Sequence, residues 1–336
     1  MDEGLLVVVA LAFAFAFTNG VQDSANSIAT LVATRAGRPR PALAVATVAV
    51  LVGPFVLGSG VADTVAGVVE VPRDETREVV ASALVGALVW NLAAWRRGVP
   101  SSSSHALVGG LVGAALAAAG TEAVNWGGLD GSRPVGVVAI LFALAVAPLV
   151  GAGAAFLALR AFRRILRRAT RRAALPVRRA QWATSAVLSL GQGANDAQKA
   201  VGIVAAVLLA DGRTSTLDAP VWVVGGAGLA MAAGTALGGW RIVRTIGRRI
   251  YDLRSLDALA SQTASAAVIV GSSIAGAPVS STHIVSSSVV GVGGGRRRWG
   301  RVRWTVVREI GLAWLTTLPA TALLAAATLV AWRAIR

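Results

Sequence analysis

PSSSSHALVGGLVG at residues 100–113 and PVSSTHIVSSSVVG at residues 278–291 carry one uncommon phrase twice. At a shift of 178 positions Pro100 falls on Pro278, Ser102 on Ser280, Ser103 on Ser281, Ser104 on Thr282, His105 on His283 and Gly113 on Gly291. The chain has 2 histidines, and both occupy the same place in this phrase. That coincidence points to a duplication. A second pair of stretches supports it: FTNGVQDSANSIATLVATRA (17–36) aligns with LGQGANDAQKAVGIVAAVLL (190–209) at a shift of 173. Gly20 then meets Gly193, Gln22 meets Asn195, Asp23 meets Asp196 and Asn26 meets Lys199. The two shifts differ by about five residues, which an insertion between the motifs absorbs.

The sequence around these phrases is strongly apolar. Over 336 residues it is 55% hydrophobic with a mean hydropathy of +0.67, beyond what ordinary soluble proteins show. Its runs of Ala, Val, Leu and Gly are continuous and long enough to cross about 30 Å of hydrocarbon, unlike the short alternating segments of a β-barrel. Ten such segments are expected, at about 4–34, 42–61, 78–95, 100–118, 134–159, 181–210, 221–240, 257–275, 278–294 and 304–332. The fold class is therefore an all-α polytopic membrane protein with about 10–12 membrane segments. The acidic N-terminus, MDEGLLVVVALAFAFAF, lacks a basic leader region and reads as a retained first helix. The chain has no cysteine, which excludes disulfides and thiol chemistry.

Charge sets the expected orientation. A net charge of +16 would suggest nucleic acid in a soluble chain, but 24 of the 32 Lys/Arg fall in five short stretches between apolar segments: 35–40, 96–97, 160–179, 241–254 and 296–303. The intervening connections, 63–78, 122–130 and 211–218, are acidic. This is the positive-inside pattern, with basic loops in the cytoplasm and both termini outside the cell membrane. Arg333 and Arg336 run against it. The basic stretch divides the chain into a first repeat (1–160), a cytoplasmic linker (161–180) and a second repeat (181–336) of five segments each. An odd number of crossings inverts the second half. The fourth and ninth segments, which open with the Pro-Ser phrase, are expected to be re-entrant or broken-helix hairpins entering from opposite sides. Inverted repeats of this kind mark secondary transporters, with the substrate where the halves meet.

The residues within the repeats suggest what that site holds. Carboxylates well inside apolar segments, here Asp23 and Asp196, are costly and point to binding or proton movement. On a helix Asp23, Asn26 and Thr30 share a face, oxygens suited to a hard cation or an exchangeable proton. A proline followed by serines suits a helix start, and helix starts bind oxyanions through free N–H groups. Two starts meeting near the midplane, with hydroxyls from Ser102, Ser103, Ser104, Ser280, Ser281 and Thr282, make a site for a tetrahedral oxyanion. His105 and His283 either touch the anion or fix the hairpins, and no spacing suggests a metal site or a cofactor. Lys199, three residues after Asp196, pairs with it by default and removes a cation ligand.

These four motifs together resemble the duplicated signatures of the PiT-type inorganic phosphate transporter family, over both halves of the chain. The resemblance implies a secondary transporter moving phosphate with sodium or protons through paired re-entrant hairpins. It puts Asp23, Asn26, Asn195 and Asp196 in the family's Asn-Asp signature region, and Ser102 to Ser104 and Ser280 to Thr282 at its hairpin Ser/Thr positions. Gln22 stands where the family usually has Asn, and Lys199 matches only bacterial members; both favour proton coupling. The implied partners are phosphate, the coupling cation and the bilayer, with a homodimer as one compatible assembly. A sulfate permease on the same scaffold is the nearest alternative. An intramembrane hydrolase using Ser104, His105 and an Asp fits poorly with a duplicated site, and a non-transporting membrane scaffold is a third option that predicts no uptake in proteoliposomes.

Overall fold

Apolar runs punctuated by Gly, Pro and arginine form helices, because no other open structure satisfies its own backbone in hydrocarbon. The computed structural model describes residues 2–130, 133–169 and 173–335. In the first half the helices are α1 (Glu3–Ala33), α2 (Pro39–Val56), the short α3 (Gly60–Ala66), α4 (Thr76–Arg97), α5 (Ser103–Ala119) and α6 (Gly136–Ile165). The second half has α7 (Ala174–Gln192), a π-turn at Gly193–Ala197, α8 (Gln198–Ala210), α9 (Val221–Leu237), α10 (Trp240–Arg244), α11 (Ser255–Ile274), α12 (Ser281–Gly295) and α13 (Trp304–Ile335). Two features depart from the all-helical expectation. The Gly-rich acidic connection carries a small hairpin, β1 (Gly128–Asp130) with β2 (Arg133–Val135), and Val69 bridges Val124. The linker is shorter than expected: α6 and α7 run into it from both sides, and residues 170–172 lie outside the described ones.

Among the described residues five helices are long and apolar enough to cross a membrane, or six with α9 and the following bent segment, which turn by 60°. Two of the ten expected segments are too short as helices to span the hydrocarbon. At 1.5 Å per residue, α5 (17 residues) and α12 (15 residues) reach only about 25 Å. The segment at 181–210 is broken by the π-turn that carries Asn195 and Asp196.

The repeat is visible in the packing, with partners exchanged between halves. Gly113 of α5 lies against α13, where a β-carbon would come within 2.2 Å of the Ala322 carbonyl; its sequence mate Gly291 of α12 lies against α6, 2.1 Å from the Ala152 carbonyl on the same construction. Gly20 of α1 and Gly193 show the same relation, with Gly20 against Met231 of α9 and Gly193 against Val50 of α2. Small residues at matched positions let backbones touch, the usual means of packing helices in lipid.

Charge is sorted by the two ends of the bundle. At one end Arg77 reaches Asp2 and Asp211, at 2.9 and 2.8 Å, and Arg333 pairs with Glu75 and Glu78. The anomalous Arg333 thus belongs to the acidic end and neutralises it. Asp2, capping α1, has its carboxyl held at about 2 by the Leu5 N–H and Arg77. At the other end the basic stretches bind one another: Arg178 donates to the Arg35 carbonyl, Arg163 to that of Gly295, Thr245 to that of Gly98, and Arg303 pairs with Asp252.

Candidate functional site

The two Pro-Ser phrases form helix starts, as their residues suggest. Ser102 caps α5 and accepts from the His105 N–H at 3.1 Å; Ser280 caps α12 and accepts from the His283 N–H at 3.3 Å. Both capping serines are extended, so each helix begins where its serine satisfies a free amide. The two starts are adjacent. Ser104 donates to the Val279 carbonyl at 2.8 Å, and the His105 and His283 rings lie 4.6 Å apart between centroids. All of Ser102, Ser103, Ser104, Ser280, Ser281 and Thr282 are buried.

The first copy of the acidic motif joins them. Asp23 Oδ1 accepts from Asn26 at 2.8 Å and from Ser281 at 3.0 Å, while Asn26 also donates to Thr282 at 3.0 Å. Asp23, Asn26, Ser281 and Thr282 therefore form one cluster across a sequence gap of more than two hundred residues. Asp23 Oδ2 and Asn26 Oδ1 have no hydrogen-bond partner although both are buried, so two acceptor oxygens at i and i+3 stay free. Thr30 Oγ1 is also unpartnered, but seven residues of helix put it about 10 Å along the axis from Asp23. It shares the face and does not share one ion with Asp23.

The second copy is built differently. Asn195 donates to Ser273 and the Ala277 carbonyl, and accepts from the Val279 N–H at 3.3 Å, so it braces the hairpin before α12. Asp196 Oδ1 is taken by the Lys199 ammonium, which also donates to the Val279 carbonyl at 3.1 Å. The expected Asp–Lys pair is formed at Asp196 Oδ1, while Asp196 Oδ2 is buried without a hydrogen-bond partner and its carboxylate lies beside that of Asp23. Gln22 donates to the Asn91 carbonyl at 3.0 Å and supports α4. His105 Nδ1 lies 2.7 Å from Ser102 Oγ, and His283 stacks on Trp314 at 3.7 Å. No Ser104–His105 dyad exists, since Ser104 is turned to Val279.

Sequence reasoning missed several supports. Gln192 accepts from Ser27 and donates to the Asp23 carbonyl at 3.5 Å; it is the 173-shift mate of Asn19, which accepts from Asn91. The alignment held that signal one residue before the glycine where the comparison stopped. Trp314, donating to the Pro100 carbonyl across 214 residues, and Trp90, donating to Ser101 across the turn between α4 and α5, had no such signal, since neither tryptophan belongs to a repeated motif.

A sequence profile of the phosphate transporter family matches residues 19–176 and again 167–325. The chain is 42% identical over 326 residues to the probable low-affinity inorganic phosphate transporter of Mycobacterium tuberculosis H37Rv, covering 96% of this chain and 76% of that protein. It is 38% identical over 325 residues to the protein of the same description in Bacillus subtilis 168, covering 96% and 95%. A solved structure, "The sodium-dependent phosphate transporter", superposes with a TM-score of 0.83 at 25% identity over all of both chains.

Proposed function

The chain belongs to the phosphate transporter family, and from that premise we propose that it carries inorganic phosphate through the cell membrane by cation-coupled symport. Both termini face outward. The carrying observation is the cluster in which Asp23 and Asn26 of α1 meet Ser281 and Thr282 at the start of α12, beside the start of α5. Helix starts and hydroxyls there suit an oxyanion, while the carboxylate beside them suits the cation that travels with it.

An inverted arrangement of the halves accords with the bonds at the ends of the hairpins. The last turn of α5 meets Arg333 at the acidic end, whereas the last turn of α12 meets Arg163 at the basic end. The two helices then point in opposite directions from a shared middle, and rocking of the halves exposes that middle alternately.

Sodium is the better fit at the first copy, because Asp23 and Asn26 offer free oxygens and the solved neighbour is described as sodium-dependent. Proton transfer at Asp23 is the second reading, favoured by the lysine that fills the second copy. Selection of phosphate over sulfate follows from the same carboxylate. Hydrogen phosphate has a proton to donate to Asp23 Oδ2, whereas sulfate at neutral pH has none and would face an unmatched acceptor.

Phosphate uptake into proteoliposomes under separately imposed sodium and proton gradients tests this. Accumulation driven by one gradient and unaffected by excess sulfate is the expected result. No accumulation under either, or strong inhibition by low sulfate, would refute it.

A further inference from the structure

The repeat places an acidic residue twice, and the residue three positions further on differs between the copies. In the first copy Asp23 is followed at i+3 by Asn26, and each keeps a buried oxygen without a partner. In the second, the residue at the matching position is Lys199. Lys199 is 1% exposed; its ammonium sits on Asp196 Oδ1, leaving Oδ2 of that carboxylate without a partner, and donates to the Val279 carbonyl at the tip of the second hairpin. That carbonyl also accepts from Ser104 of the first hairpin, the mate of Thr282. The lysine head thus stands beside the carboxylate and next to both hairpin starts. These are the surroundings that the repeat gives the free oxygens of Asp23 and Asn26.

Resting on the symport reading above, we propose that Lys199 is a tethered cation that permanently fills the second of the two sites. The transporter then moves one cation fewer per phosphate than a symmetric version of itself would. The fixed charge neutralises Asp196 and contributes positive potential to the anion, yet it cannot dissociate and carry charge across. Only the Asp23 set exchanges its ion.

The geometry favours this over a lysine that serves packing alone. A packing role needs the four-carbon stem, which long apolar residues supply without burying an ammonium. Here the ammonium itself is used twice, once by the carboxylate and once by the hairpin tip.

The test compares wild type with Lys199→Asn, which restores the first copy's residue at the matched position. Both are reconstituted, and the initial rate of phosphate uptake is measured against the concentration of whichever cation drives the wild type. The expected result is a cation dependence steeper by one Hill unit in Lys199→Asn, with one more positive charge moved per phosphate. At a membrane potential of about 100 mV one extra charge raises the limiting accumulation about fifty-fold. Equal slopes and equal charge in the two proteins would overturn the proposal.

Should Lys199→Asn fail to fold with Asp196 left unpaired, the double variant Asp196→Asn/Lys199→Asn decides. A neutral pair offers neither a tethered charge nor a new site, so the wild-type slope and charge are expected. A changed slope, or a variant that folds but no longer couples, would sink the idea. Wild-type protein that takes up no phosphate, or does so without any cation dependence, would instead refute the symport reading itself.

Discussion

Replacing Asp23 by Asn keeps the shape of the side chain and removes the one full negative charge that the first copy presents to a cation. Oδ1 of Asp23 holds Asn26 and Ser281 at 2.8 and 3.0 Å, and an amide oxygen accepts the same bonds. Changing two charge-assisted bonds to neutral ones costs about 1–2 kcal/mol, so the protein still folds. The larger effect falls on the cation. A unit charge about 4 Å from the carboxylate gains about 4 kcal/mol at an effective dielectric near 20, and about 1 kcal/mol in bulk water. Asp23 is 3% exposed, which places it toward the first limit. A loss of about 3 kcal/mol raises the half-saturating cation concentration by roughly a hundred-fold. The assay is uptake of labelled phosphate into proteoliposomes across a range of sodium and pH, beside phosphate–phosphate exchange without a gradient. Gradient-driven accumulation should vanish while exchange at high phosphate persists, and sulfate should compete better than in wild type. A folded Asp23→Asn protein with an unchanged cation dependence would refute the assignment of Asp23.

Much of this was legible in the sequence because membrane folding and duplication both leave local marks. Capping by Ser102 and Ser280 could be read from Pro-Ser runs, since a cap is satisfied within three residues of itself. The Asp196–Lys199 pair could be read from i,i+3 spacing. Contacts formed by the meeting of halves could not. Nothing in the spacing says that Asp23 takes Ser281 and not its mate Ser103, or that Ser104 turns to Val279. The two hairpin helices start later than hydropathy alone suggests for a related reason. Hydropathy counts the residues before Ser103 and Ser281 with the helices, although they lie outside them and the capping serines are extended.

Exchange of partners has a mechanical consequence. Each hairpin is clasped by the last helix of the other half: α4 and α5 pack with α13, and α11 and α12 pack with α6. Gly113 and Gly291 make those clasps close enough that backbones touch. Between the hairpins the ties are fewer, and include the Ser104–Val279 bond, the histidine contact, the stacking of His283 on Trp314 and the links through Asp23 and Asn26. The packing is therefore closer within each clasped bundle than across the centre, which is where the proposed alternating exposure would need it to yield.

Three further outcomes follow from these contacts. Gly20→Ala would put a β-carbon 1.9 Å from the Met231 carbonyl, a backbone clash that cannot relax cheaply; destabilisation of about 3 kcal/mol and a lower Tm in detergent are expected. Asp2 is held at about 2 against an ordinary 3.8, so its stabilising contribution is full above the ordinary value and is lost as pH falls through about 2. Asp2→Asn should lack that acid-dependent loss of Tm. Thiol pairs report on the motion cleanly because the chain has no cysteine of its own. Arg77 and Asp211 pair across the boundary between the α4 hairpin and the central helices, whereas Glu78 and Arg333 pair inside one clasped bundle at the same end of the molecule. Joining Arg77→Cys to Asp211→Cys with a short bifunctional reagent should stop phosphate uptake, and reduction should restore it if the reagent is cleavable. Joining Glu78→Cys to Arg333→Cys, equally far from the centre, should leave uptake intact. Inhibition by both crosslinks alike would mean that α4 and α13 also slide past one another, and the rigid-bundle argument would fail.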